Sequence, residues 1–147
     1  MGWAVLGVDG RGRLSLTACG CIETSKSDTH ERRLAQIATE ARSLFETHRP
    51  SKLVIEKLLF TKNQTTGLAV AEARGVVLAI AGAFDCPVEE VGPKQVKVAV
   101  TGYGNAEKRQ VQEMVKRLLE LKDVPKPDDA ADACAVAIAG SDRIHIH

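Results

Sequence analysis

Three carboxylates in this chain have the type and spacing to hold a metal ion. Asp129 and Asp132 open the segment Asp129-Ala130-Ala131-Asp132-Ala133-Cys134-Ala135-Val136-Ala137-Ile138-Ala139, which is small and apolar from Ala130 onward apart from the second acid. An i, i+3 pair lies on one face of a helix. Two readings of the pair stand. Acids in a first turn satisfy the helix dipole, with Asp128 as N-cap. Alternatively, the same dipole keeps both acids ionised to bind a divalent cation, which needs a third carboxylate from elsewhere. Glu56 is the obvious third. It closes Lys52-Leu53-Val54-Ile55-Glu56, an apolar run of strand length, and open α/β sheets gather ligands at the C-terminal ends of their strands. Taken alone, Glu56 fits a solvated strand edge equally well. Three acids with no histidine or cysteine among them suit a hard, oxygen-preferring ion such as Mg²⁺ or Mn²⁺. Two such ions about 3.5–4 Å apart are a standard device for in-line attack on a phosphodiester.

Two further stretches bear on that chemistry. Between Gly92 and Arg117, Lys94, Lys97, Lys108, Arg109, Lys116 and Arg117 stand against only Glu107 and Glu113, a local charge of +4. A solvated helical face accounts for the count alone. Yet Lys97 falls on a short helix and Lys108 in the first turn of the next, across a glycine loop, an arrangement suited to phosphates. The loop Leu58-Leu59-Phe60-Thr61-Lys62-Asn63 directly after Glu56 has an apolar tip. It reads either as a wedge or stacking platform for bases or as a buried anchor.

The elements that must position these residues follow from pattern. The 147 residues suit one domain spanning 1–147, with 44% hydrophobic and 27% charged residues and a formal net charge of +1. Attraction to an anionic partner must therefore come from local clustering. No apolar run is expected to approach the roughly 20 residues of a membrane span, and no signal peptide is expected. Cys19, Cys21, Cys86 and Cys134 form no C-x-x-C pair, and the four histidines have no zinc spacing. Buried thiols in a reducing cytoplasm are expected.

Trp3 to Val8 and Leu14 to Ile22 read as a hairpin, with Asp9-Gly10 as a type I′ turn signal and Arg11-Gly12-Arg13 extending the loop. A helix starts at Asp28 or Thr29, carries an apolar stripe from Leu34 to Phe45 and ends at His48-Arg49-Pro50. Lys52 to Glu56 is expected as a buried parallel strand. A long helix then runs to about Phe84, apolar on more than one side, which suggests either a partner subunit or a crowded core. Val88 to Val91 is another strand. Pro93 opens a short helix to about Val100, Asn105 caps the next, and Val124-Pro125-Lys126-Pro127 leads stiffly into the acidic helix. Strands first, then alternating strand and helix, indicate an α/β fold with helices against a mixed sheet. The centre of that sheet is one strand short.

With these residues in view, the chain resembles the RuvC family of Holliday junction resolvases. The resemblance rests on Val54-Ile55-Glu56-Lys57-Leu58-Leu59-Phe60, Lys62-Asn63, Glu72-Ala73-Arg74-Gly75-Val76 and Gly92-Pro93-Lys94-Gln95-Val96-Lys97. It continues through Gly102-Tyr103-Gly104-Asn105-Ala106-Glu107-Lys108, Gln110 to Val115 and Asp129-Ala130-Ala131-Asp132-Ala133. The match runs from about Gly2 to Ala139. It implies an RNase H-like fold and a cytoplasmic homodimer, a hydrolase that cuts four-way junction DNA in recombination and repair using Mg²⁺. It implies Glu56, Asp129 and Asp132 as catalytic metal ligands and Lys97 and Lys108 as DNA contacts. Phe60, Lys62 and Asn63 fall in the family's DNA-contacting loop, where Leu59 stands at the usual aromatic position. The helix around Arg74 resembles the dimer interface, and the RuvA–RuvB branch-migration complex is the implied partner.

The family opens with a central strand ending in Gly-Ile/Val-Asp-Pro-Gly, whose aspartate is a fourth carboxylate. Gly7-Val8-Asp9-Gly10 is superficially similar. However, Gly2-Trp3-Ala4-Val5 resembles the family's second strand and Cys19-Gly20-Cys21-Ile22 the end of its third, so Asp9 falls in the turn between them. The first strand is thus expected to be absent from this sequence, with Met1 an internal methionine or the chain a fragment. The alternative to an active nuclease is a catalytically inactive junction-binding remnant.

Overall fold

An apolar run, Trp3 to Val8, and the alternating Leu14-Ser15-Leu16-Thr17 build a hairpin first. Strands β1 (Gly2–Val8) and β2 (Leu14–Cys21) pair antiparallel, Val8 opposite Leu14 and Gly2 opposite Cys21, with a register shift between Val5 and Leu6. The turn is not the two-residue type I′ expected of Asp9-Gly10. Gly12 takes the left-handed conformation, at φ 76°, and its amide donates to Asp9 O at 2.9 Å. The Asp9 carboxylate meanwhile accepts the amides of Arg11 and Arg13, both at 2.9 Å. Asp9 initiates the turn by capping backbone donors, and only glycine meets the positive φ at low cost.

This computed structural model describes residues 1–59 and 64–141, excepting the side chains of Gln64 and Thr65. After the hairpin come α1 (His30–His48), β3 (Leu53–Glu56), α2 (Gln64–Ala83), β4 (Val88–Val91), α3 (Pro93–Thr101), α4 (Lys108–Leu118) and α5 (Asp128–Ala139). The described strands form two separate two-stranded sheets, β1–β2 and β3–β4. None of the described strands joins the two ladders.

The chain folds as two compact units. One comprises the hairpin, Val54–Glu56 and the residues from Glu90 onward, and its core is built on α5. Ala130, Ala131, Cys134, Ala135 and Ile138 are all buried to 2% exposure or less. Of these, Cys134, Ala135 and Ile138 pack with Leu14, Val91, Val96, Val100, Val115 and Leu119, while Ala4, Leu6, Leu16 and Val54 press on the cluster from the strands. Alanines on α5 let neighbouring backbones approach closely, and Ile138 and Val115 fill the space beyond. Full burial of one such side chain contributes about 1.5–3 kcal/mol. Two cap expectations change. Glu107 caps α4, its amide held by Gln110 Oε1 at 2.8 Å, and Asn105 precedes it in the turn. Pro127 stands at the N-cap of α5, so Asp128 is the first helical residue.

The other unit comprises Ile22–Leu53 and Lys57–Glu89, in which α1 packs on α2. The Phe45 and Phe84 rings meet at 5.5 Å, Arg42 lies 5.8 Å over Phe84, His30 pairs with Glu72, and Lys52 Nζ pairs with Glu89 at 2.7 Å. α2 buries Val77, Ile80 and Ala81 but leaves Leu68 62% and Val70 49% exposed, so its second apolar face is not filled by a core of this unit. Averaged over Thr66–Ala83, mean hydropathy is 1.4, enough by length and composition for a membrane span. This departs from the expectation that no apolar stretch approaches span length, because the small residues of α2 raise its average without a long run of large ones. Glu72 and Arg74 in mid-helix, and the pairing of Glu72 with His30, suit a helix of a folded unit instead.

The end of α5 offers a test of this packing. A Cβ added at Gly140 would lie 2.3 Å from Val54 Cγ2 and 2.5 Å from Cγ1. Gly140→Ala is therefore expected to lower the melting temperature by roughly 3–10 °C through overpacking. An unchanged melting curve would mean that β3 does not press on α5 as described.

Candidate active site

Glu56 ends β3, and Asp129 and Asp132 are the second and fifth residues of α5, so all three acids fall in one unit. All three are exposed. The Glu56 carboxyl is held above its ordinary range, first by desolvation and then by the negative charge of Asp132. Acids from two elements distant in sequence thus feel each other. Asp129 is occupied differently. Its Oδ2 accepts the Cys21 thiol at 3.7 Å. At Gly2 an added Cβ would lie 1.9 Å from Asp129 O, so the start of β1 fits against α5 only as glycine.

Lys108, the first residue of α4, reaches the same acids. Its Nζ lies 3.3 Å from Asp128 Oδ2 and 3.5 Å from Asp132 Oδ2. Asp128 also takes Gln112 Nε2 at 3.4 Å and Lys126 Nζ at 3.9 Å. The Asp128 hydrogen bond, then the Asp132 charge, raises the Lys108 pKa, and Lys108 in turn lowers that of Asp128. These groups are exposed, so solvent screens the pairs and their main effect is on position rather than stability. Asp128 was expected only as a cap. The Asp128-Asp129 doublet was the sole sequence signal for its ionic role, and Gln112 had none.

Lys97 lies at the middle of α3, in the same unit, and its carbonyl accepts Thr101 Oγ1 at 2.8 Å. Leu59 is 62% exposed. Phe60, Lys62 and Asn63 lie outside the described residues. Asp9 is committed to its turn, where the amides of Arg13 and then Arg11 hold its carboxyl below the usual range. Of the thiols, all unbridged, Cys134 is buried beside Cys19 and pushed up to about 12, which makes it inert as a nucleophile.

Among the described residues, no three acidic, histidine or cysteine side chains stand close enough to ligate one ion together. The donor chemistry nonetheless fits a hard divalent ion, because the converging groups are carboxylates and the mutual repulsion of Glu56 and Asp132 is what a cation relieves. The sign for stability follows. A carboxyl whose folded pKa is raised costs stability above that pKa, and the cost disappears as pH falls below the unfolded value. Glu56→Gln is therefore expected to raise the melting temperature at pH 7 by roughly 1–3 °C, solvent screening keeping the effect small, with no gain at pH 4. A Glu56→Gln protein that is less stable at pH 7 would place Glu56 in a stabilising ion pair instead.

Comparison with known proteins identifies the family. The family profile described as crossover junction endodeoxyribonuclease RuvC matches residues 1–140. The protein of that name from Heliobacterium modesticaldum is 47% identical over 137 residues, covering 93% of this chain and 84% of the relative. That from Brevibacillus brevis is 53% identical over 119 residues, covering 81% and 72%. Thermus thermophilus RuvC, solved in complex with a Holliday junction substrate, superposes with a TM-score of 0.87 at 32% identity, covering 92% of this chain and 82% of that one. The fold is RNase H-like, and the chain belongs to the RuvC family of crossover junction endodeoxyribonucleases.

Proposed function

We propose that Glu56, Asp129 and Asp132 are the metal-binding catalytic carboxylates of this junction-resolving endonuclease, with Mg²⁺ as the ion and Mn²⁺ able to replace it. Family members are metal-dependent nucleases, and the electrostatic coupling of Glu56 to Asp132 is the observation that carries the assignment to these residues. A bound divalent ion supplies an activated water and stabilises the leaving oxygen. The chain's own residues do the rest. The carboxylates hold the ion. Lys108, already drawn to Asp128 and Asp132, and Lys97 on α3 neutralise the phosphates on either side of the scissile bond. Four-way DNA as the substrate is supported by the Thermus relative's complex with a Holliday junction. Phe60, Lys62 and Asn63 complete the DNA contacts in this reading.

The exposed Leu68 and Val70 on α2 support a homodimer, in which a second copy covers that face. Both units then form one nuclease domain, in keeping with a family match that spans residues 1–140. A cytoplasmic location agrees with four unbridged cysteines. Engagement of the RuvA–RuvB branch-migration complex rests on the family alone. The inactive junction binder rests only on the fourth carboxylate of the family pattern, which Asp9 does not supply.

A strand ending in Gly-Val-Asp-Pro-Gly placed ahead of Gly2 is expected to raise metal-dependent nicking of a synthetic four-way junction at least about 10²-fold. In that extended chain, Glu56→Gln, Asp129→Asn or Asp132→Asn should each reverse the gain while leaving junction binding within about threefold. Equal nicking with and without the strand, or indifference to the substitutions, would contradict the assignment.

A further inference from the structure

The loop between α3 and α4 displays the chain's single tyrosine. Tyr103 is 59% exposed, and Val98 on α3 is 49% exposed. The loop is braced on both sides of the ring. Gly102, at φ 77°, donates its amide to Val98 O at 2.8 Å, and the Tyr103 amide donates to Thr101 Oγ1 at 3.1 Å. The Tyr103 carbonyl accepts from the amide of Ala106, itself buried to 2% exposure. Gly104 seats against the Lys94 stem and Val98, where an added Cβ would lie 2.8 Å from Lys94 Cε. These contacts hold the loop backbone on either side of the exposed ring. Lysines stand on the helices before and after it in the chain. Lys94 and Lys97 lie on α3, and Lys108 at the start of α4 reaches Asp132.

An aromatic ring presented on a rigid loop between cations matches the stacking platforms of nucleic-acid-binding surfaces, where lysines track phosphates and a ring receives a base. We propose that Tyr103 is a DNA-contacting residue that stacks on an unpaired or splayed base at the junction, beside the phosphates that Lys97 and Lys108 hold. This deepens the junction-nuclease reading and rests on it. The contact is apolar and stacking in nature, so it must differ from a lysine contact in its response to salt.

Binding of the 147-residue chain to a fluorescent four-way junction, with EDTA to prevent cleavage, separates these roles. Base stacking on an aromatic side chain is worth about 1–3 kcal/mol by alanine substitution. Tyr103→Ala should therefore weaken binding by roughly 5- to 100-fold at every salt concentration, with the slope of log affinity against log salt unchanged. Tyr103→Phe should bind within about twofold of the unsubstituted chain, since the ring face is retained. Lys108→Ala, by contrast, should flatten the slope by about one. Tyr103→Ala binding as well as the unsubstituted chain, or Tyr103→Phe losing as much as Tyr103→Ala, would overturn the stacking role while leaving the nuclease reading intact. Failure of the unsubstituted chain to bind the junction would sink both.

Discussion

The close packing of α5 is the constraint on which the rest of the site-bearing unit depends. Glycines admit neighbours to distances that any side chain would forbid, so Gly2 meets the backbone of Asp129 at one end and Gly140 meets the Val54 side chain at the other. Asp129 and Asp132 therefore sit on a helix clamped at both ends, and Val54 lies two residues before Glu56 on β3. The same apolar contact that stabilises the core sets where the acids stand. Burial and chemistry are coupled through a few residues with little volume.

Electrostatics then works against that packing. Glu56 and Asp132 are brought close enough to repel, and Lys108 partly offsets the excess charge by reaching Asp128 and Asp132. A site that concentrates like charges gives up some stability in exchange for an affinity for cations. Asp128 has a part in this balance although it opens the helix. It collects Lys108, Gln112 and Lys126 and so keeps a lysine at the edge of the carboxylates.

Much of this was legible in the residues because local patterns agreed with the fold. The stripe from Leu34 to Phe45, Pro93 at a helix start and the Asp129–Asp132 spacing all lie where the 3.6-residue period places them. Turn and cap details were less legible, since several residues compete for each role. Gly12 took the positive φ expected near Gly10, and Glu107, backed by Gln110, displaced Asn105 as the cap. The partners of Lys108 could not be read from spacing, because they depend on how α4 and α5 meet in space. That the described strands form two separate ladders could not be read from the pattern, because pairing depends on contacts distant in sequence.

The central claim is that carboxylates from β3 and α5 form one metal centre. Anomalous scattering from Mn²⁺ introduced into crystals of the protein tests it most directly. A peak is expected within roughly 2.0–2.5 Å of oxygens from both Glu56 and Asp132, with Lys108 displaced toward Asp128. Manganese bound away from Glu56, or Lys108 still seated on Asp132 at saturating Mn²⁺, would contradict it.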